Sequence, residues 1–189
     1  MQTITRTEYR INKHHLLKNI AYGSIFIYPT DTIYGLGCDA TDEKAVQKLR
    51  KLKNRTDKPF SVIAPSKNWI YLNCRISQEA RDWIDKLPGP YTLILKLINK
   101  NVIAKSVNLG SDTIGVRIPD SWSYEIPKEL DRPIVTTSAN ISGGDYMLSI
   151  DDLSPDIQKG VDFILYDGEL KGKPSKLINL ADEEAVILR

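Results

Sequence analysis

At 189 residues with no internal repeat, the chain fits one domain and can bury roughly 70% of the surface its unfolded form exposes, so it needs no disulfide or metal to hold a core. Hydrophobic residues at 41% and charged residues at 26% exclude a disordered chain, and no apolar run nears the ~20 residues of a membrane span. A net charge of +2 is too small to demand a nucleic-acid partner, while Cys38 and Cys74, neither paired as Cys-x-x-Cys nor near a histidine, read as reduced thiols of a cytoplasmic protein without a secretory leader.

In chain order, a helix is predicted over 8–22, with Ile11, Leu16 and Ile20 on or near one face and Gly23 ending it. Residues 24–28 (SIFIY) read as a short buried strand, broken by Pro29. A second helix is predicted over 42–53, where Ala45, Val46, Leu49 and Leu52 recur at helical spacing and Thr41 or Asp42 can cap. A strand over 60–64 and a helix over 77–87 follow, and Pro88-Gly89-Pro90 then turns the chain into a strand over 91–97. Further strands are predicted over 113–118 and 134–137, and a helix over 150–159 that Pro155 strains. Strands over 163–166, 177–180 and 185–188 close the set. Alternation early and clustered strands late predict an α/β (α+β) fold, a single domain over 1–189 with a twisted mixed sheet and flanking helices.

Two motifs are decoys. Gly35-Leu36-Gly37-Cys38-Asp39-Ala40 matches the dinucleotide fingerprint, but six residues separate it from the preceding strand and Asp57 is misplaced for the ribose. The stretch from Gly168 to Lys173 lacks one residue of a P-loop and has Pro174 where Ser or Thr belongs. Adjacent His14 and His15 point to different sides of a helix, so no metal ligands are assigned.

Four other segments suit an anionic ligand. Pro29-Thr30-Asp31-Thr32, straight after a strand, is either an Asx or ST turn or a loop offering two hydroxyls and a carboxylate. Seven basic residues lie between Lys44 and Lys58, either as a solvated helix face or, at Lys53, Arg55 and Lys58, as cations converging on a polyphosphate. Arg117 is the charge in the apolar strand TIGVRIP. Thr136 to Gly144 (TTSANISGG) combines hydroxyls with glycines that let backbone N–H groups approach a phosphate. With no nucleophile, metal cage or P-loop beside them, these segments suit binding and alignment more than covalent catalysis.

The stretches YPTDTIYGLGCDAT (28–41), LKNR…KPFSVI (52–63), PGPYTLILK (88–96), TIGVRIP (113–119), TTSANISGG (136–144) and GKPSKLINL (172–180) resemble the YrdC family of threonylcarbamoyl-AMP synthases. That resemblance spans most of the chain and implies a concave, basic sheet face. It implies K-x-R and S-x-N signatures at Lys53/Arg55 and Ser138/Asn140, with Lys53 and Arg55 catalytic. It assigns Thr30, Lys58, Thr92, Lys96, Arg117, Ser138 and Asn140 to substrate and ATP binding. The implied substrates are ATP, L-threonine and bicarbonate, with magnesium carried on the nucleotide. The product would go to a tRNA-modifying transferase complex. Two departures stand out: Leu87 where the family often has tryptophan, and Lys176-Leu177 where it has Thr-Val. The alternative is a YrdC-like paralogue of the YciO type, an RNA- or nucleotide-binding module that holds double-stranded RNA or tRNA.

Overall fold

The computed structural model describes residues 1–182 and 186–188. The chain opens with strand β1 (Gln2–Thr5), which no hydrophobic pattern announces because only Ile4 is buried. Helix α1 (Arg6–Ala21) starts two residues before the predicted boundary. Its start is fixed by a reciprocal cap: the Thr5 N–H donates to Glu8 Oε2 at 2.7 Å and the Glu8 N–H to Thr5 Oγ1 at 3.3 Å. Tyr9, Leu16 and Ile20 form its buried face, and Ile11, expected near that face, is 76% exposed. Two residues along a helix turn the side chain by about 200°, so Tyr9 and Ile11 cannot both face inward.

Strand β2 (Phe26–Tyr28) is wholly buried, and β3 (Gly35–Gly37) pairs with it. A Gly-Leu-Gly strand forms through close approach, not β propensity: a Cβ on Gly37 would lie 2.2 Å from the Val135 carbonyl oxygen. Helix α2 (Glu43–Leu52) is capped by Asp42, which accepts from the N–H groups of Lys44 and Ala45. Then come β4 (Ser61–Ile63), α3 (Lys67–Asn73), β5 (Cys74–Arg75), α4 (Gln78–Asp85) and β6 (Tyr91–Leu97). They are followed by α5 (Lys105–Asn108), β7 (Thr113–Arg117), α6 (Glu125–Leu130) and β8 (Ile134–Ser138). The elements α3, β5, α5 and α6 run to seven residues at most, too short for a helical or strand period to repeat in the sequence.

The predicted helix over 150–159 divides at Pro155. A 3₁₀ turn (Ile150–Asp152) precedes α7 (Pro155–Gly160), which places the proline in the first turn, where a missing N–H costs nothing. Strands β9 (Phe163–Tyr166), β10 (Lys176–Asn179) and β11 (Val186–Ile187) complete the set. Of the predicted strand over 185–188, residue 185 lies outside the described residues.

The strands form one mixed sheet in the order β1-β9-β2-β3-β8-β4-β7-β6-β10-β11, with β5 also paired to β6. Alternation along the strands sorts their residues to two faces. Ile27, Leu36, Val62, Val116 and Val135 belong to a core with residues of α2, α3, α4, α5 and α7. Phe26, Tyr28, Ile63 and Ile134 form a second core with Tyr9, Leu16 and Ile20 of α1 and Ile126 of α6. On that second face the core gives way to Thr136 and Ser138 of β8, Ser61 of β4, Gly115 and Arg117 of β7 and Thr92 of β6.

Nine residues, 167–175, join β9 to β10, seven places away in the sheet order. Seven strand spacings span about 34 Å on a flat sheet, almost the full reach of that link at about 36 Å. The link turns at Gly168, where φ is +80°, so it is not fully extended. The sheet therefore curves, and the link runs as a strap across its hollow side.

Candidate active site

The hollow holds a cavity of about 570 Å³. A paired row across the sheet forms its floor: Thr136 opposite Ser61, Ser61 opposite Gly115, and Gly115 opposite Ile94. A Cβ on Gly115 would lie 2.4 Å from Ser61 Oγ, so a side chain there would have to displace the Ser61 hydroxyl from the floor. The walls come from the loop after β2, the loop after α2, the loop after β8 and the strap.

One end of the cavity is rich in hydroxyls. Thr30 Oγ1 donates to the Ile33 carbonyl at 2.7 Å and lies 2.8 Å from Thr32 Oγ1, so the segment predicted as a turn or a ligand loop is a self-bonded turn whose Thr30 and Thr32 line the cavity. Arg117, 5% exposed, donates to Asp31 Oδ1 at 2.6 Å and lies 3.4 Å from Thr32 Oγ1. Burial pushes its guanidinium down from the ordinary range, and Asp31 opposes that. Thr92 Oγ1 lies 2.8 Å from Ser175 Oγ on the strap. The strap is seated here by Gly172, whose Cβ would lie 1.9 Å from the Thr32 carbonyl oxygen. Gly172→Ala is thus expected to lift the strap from the Thr30–Thr32 turn and to cost about 1–3 kcal/mol, a loss that thermal denaturation measures.

The other end is cationic. Arg55 and Lys58 line the cavity with Ser138 and Asn140. Arg55 donates to the carbonyls of Pro59 (2.6 Å) and Lys58 (3.2 Å) and to Thr137 Oγ1 (3.4 Å), and lies over the Phe60 ring at 5.1 Å. In register, Arg117 pairs with Ile63 and Ile63 with Ile134, four residues from Ser138 along β8. The two ends are therefore about 13 Å apart along the strand direction.

Lys53 is not among the lining residues. It is 1% exposed, and Nζ donates to the Ser138 carbonyl (2.6 Å), the Asn140 carbonyl (2.5 Å) and Asn140 Oδ1 (3.1 Å). The Lys53 carbonyl also accepts from the Ser142 N–H at 3.1 Å. The structure thus shows Lys53 tying the end of α2 to the loop after β8. Asn140 Oδ1 further accepts from Ser138 Oγ at 2.6 Å, so the side chains of the S-x-N pair are bonded to each other. Burial, and then the neighbouring Arg55, push the Lys53 ammonium down to about 7 from its ordinary 10.5. Three oxygen acceptors oppose this, since only the three protons of an ammonium satisfy them together.

Between those two values the unfolded chain binds more protons at this residue than the folded one, so stability should rise with pH across the window, with the cost fully present below about 7. Urea midpoints measured at about pH 6.5, 8 and 9.5 should show that rise in the native chain and lose it in Lys53→Met.

Of the residues expected from the sequence, Thr30, Arg55, Lys58, Thr92, Arg117, Ser138 and Asn140 come together around this one cavity. Lys53 lies behind it. Lys96, on the same strand face as Thr92 and Ile94, falls outside its lining. Thr32, the second hydroxyl of the 29–32 segment, lines it too, and Ser61, Tyr146 and Ser175 line it without having been singled out by the sequence. Alternation along the strand after Pro59 could have flagged Ser61; the others depend on folding of loops. Among the described residues, no group of His, Cys, Asp and Glu could hold a metal ion, and no helix is long and apolar enough to cross a membrane.

This geometry has relatives. The telomere recombination family, Sua5/YciO/YrdC, matches residues 18–189. A Methanocaldococcus jannaschii protein is 39% identical over 180 residues, covering 92% of this chain and 83% of its own. A threonylcarbamoyl-AMP synthase of Buchnera aphidicola is 35% identical over 171 residues, covering 86% of this chain and 87% of its own. Among solved structures, P. abyssi Sua5 complexed with L-threonine superposes with a TM-score of 0.86 at 29% identity, over 100% of this chain and 56% of that longer one. E. coli YciO gives 0.84 at 26% identity, over 100% of this chain and 93% of its own. The chain belongs to the Sua5/YciO/YrdC family.

Proposed function

We propose that the chain is an L-threonylcarbamoyl-AMP synthase, consuming ATP, L-threonine and bicarbonate and releasing pyrophosphate, within the pathway that modifies adenosine in tRNA. One observation carries the reading to this chain's own residues: a single cavity joins a buried arginine among hydroxyls at one end to Arg55, Lys58 and the glycine-rich loop after β8 at the other. Named relatives with this activity, and a Sua5 structure holding L-threonine, support it.

In this reading the threonine amine and bicarbonate give a carbamate with loss of water. A carbamate oxygen then bonds to the α-phosphorus of ATP as the bond from that phosphorus to the pyrophosphate oxygen breaks. Arg117 pairs with the threonine carboxylate, and the hydroxyls of Thr30, Thr32 and Thr92 take up its polar groups. Arg55 and Lys58 neutralise phosphate charge, and Ser138 at the end of β8 and Asn140 in the loop after it face the adenylate. The protein's part is alignment and charge stabilisation of an in-line displacement. The lining hydroxyls and cations do not form a metal cage. They suit magnesium that arrives on the phosphates and neutralises their charge. All of 1–189 acts as one YrdC-like domain, in the cytoplasm, handing its product to a separate transferase.

The test is pyrophosphate release from ATP with threonine, bicarbonate and magnesium, with the adduct identified by mass spectrometry. Release that depends on both threonine and bicarbonate is expected. Folded chain that makes no adduct yet binds double-stranded RNA with a steep salt dependence would overturn the reading in favour of a YciO-like module.

A further inference from the structure

Of the seven basic residues in the run from Lys44 to Lys58, Arg55 and Lys58 line the cavity and Lys53 clamps the loop after β8. Arg50 does neither, and its surroundings are unlike those of a solvated helix cation. Its Nε donates to the Ser106 carbonyl at 2.6 Å. One terminal nitrogen donates to the carbonyls of Arg55 and Lys58, both at 3.1 Å. The other donates to the carbonyls of Lys58 and Val107, both at 3.2 Å. These five bonds match the five N–H donors of a guanidinium, and every acceptor is main chain.

Two of the four carbonyls belong to the residues whose cationic side chains face the cavity. The other two belong to α5, which is stapled to the start of α2 as well: Glu43 accepts from both the Ser106 N–H and the Ser106 hydroxyl. Val107 returns a further tie, its carbonyl accepting from the Phe60 N–H at 2.8 Å. The Phe60 ring, 1% exposed, carries Arg50 at 4.6 Å and Arg55 at 5.1 Å from its centroid. Placing two guanidiniums together is electrostatically adverse: burial, and then Arg50, push Arg55 down from its ordinary range. Bonds to fixed carbonyls and the shared ring offset this.

We propose that Arg50 is the positioning residue of the cationic end: it fixes the loop from Arg55 to Phe60 so that the Arg55 and Lys58 side chains meet the phosphates of the bound nucleotide. It does so through the shape of its planar fork, bridging three segments at once, which a lysine with three donors on one atom cannot do. The proposal rests on the phosphate end assigned above and does not depend on which acceptor the adenylate is made for.

Charge and shape separate in Arg50→Lys and Arg50→Gln. Inorganic tripolyphosphate is the first probe, read by calorimetry on the folded chain, because its binding reports the cationic end whether or not the chain makes adduct. Both variants should bind it about 10- to 100-fold more weakly than the native chain. With turnover present, KM for ATP should rise by a similar factor while KM for threonine stays put, since Arg117 and its hydroxyls lie on other segments. Native affinity in Arg50→Lys with loss in Arg50→Gln would overturn the positioning role in favour of simple charge. Unchanged affinity in both, with only a lower Tm, would reduce Arg50 to a structural staple. If the native chain itself does not bind tripolyphosphate, the inference fails. If it binds and the variants do not, while no adduct forms in any of them, the inference stands and the synthase reading alone is lost.

Discussion

Replacing Arg117 with leucine is expected to cost about 3–5 kcal/mol of stability and to abolish threonine-dependent turnover. The side chains of Arg117 and Asp31 are 7% and 11% exposed and meet at 2.6 Å, so removing the arginine leaves a nearly buried carboxylate without its counter-charge. For a chain of this size that loss lowers Tm by roughly 10 °C. The double variant Arg117→Leu with Asp31→Asn tests the cause. It should recover most of the lost Tm, because the stranded charge is gone, yet remain inactive, because the arginine that meets the threonine carboxylate is gone too. Recovery of turnover along with stability would show that Arg117 only supports the fold.

Arg55→Ala should leave Tm within a few degrees of the native value and lower kcat/KM for ATP by about 10- to 100-fold. One lost charge-assisted contact, at about 1.5–3 kcal/mol, accounts for that factor. The variant loses the Arg55 bonds to the Lys58 and Pro59 carbonyls, but Arg50 still holds the loop, because the Arg55 main-chain carbonyl that it bonds is unchanged by the substitution. Kinetics at varied ATP and saturating threonine checks this. Near-native kcat/KM would remove Arg55 from the phosphate end. Lys53→Ala is a different experiment from the one its sequence context suggests. The residue is buried under the loop after β8, so a loss of activity there comes with a loss of stability and reports the loop, not a phosphate contact.

Much of this was legible before any coordinates. Strands with runs of β-branched and aromatic residues, such as 91–97 and 163–166, form at the predicted bounds, because their burial is written into consecutive residues. Motif order placed Thr30, Arg55, Arg117, Ser138 and Asn140 in one site although they are scattered over 111 positions. Elements held mainly by tertiary contact were not legible. The glycine strand β3 exists because Gly37 lets the Val135 carbonyl approach, and α7 begins at Pro155 because a proline suits a first turn and not a helix interior.

The sequence by itself determined the alternation of strands and helices, the chemistry available and the segments that carry it, since these follow from residue type and local spacing. Only the tertiary structure decided the use of each cation in the basic run. Arg55 and Lys58 reach the cavity, while Lys53 is bound to Ser138 at the end of β8 and Asn140 in the loop after it, and Arg50 ties its own following loop to the Ser106 and Val107 carbonyls of α5. A charge in a sequence carries no record of which carbonyls will surround it; that depends on where the loops after β8 and around α5 come to lie once the sheet has curved.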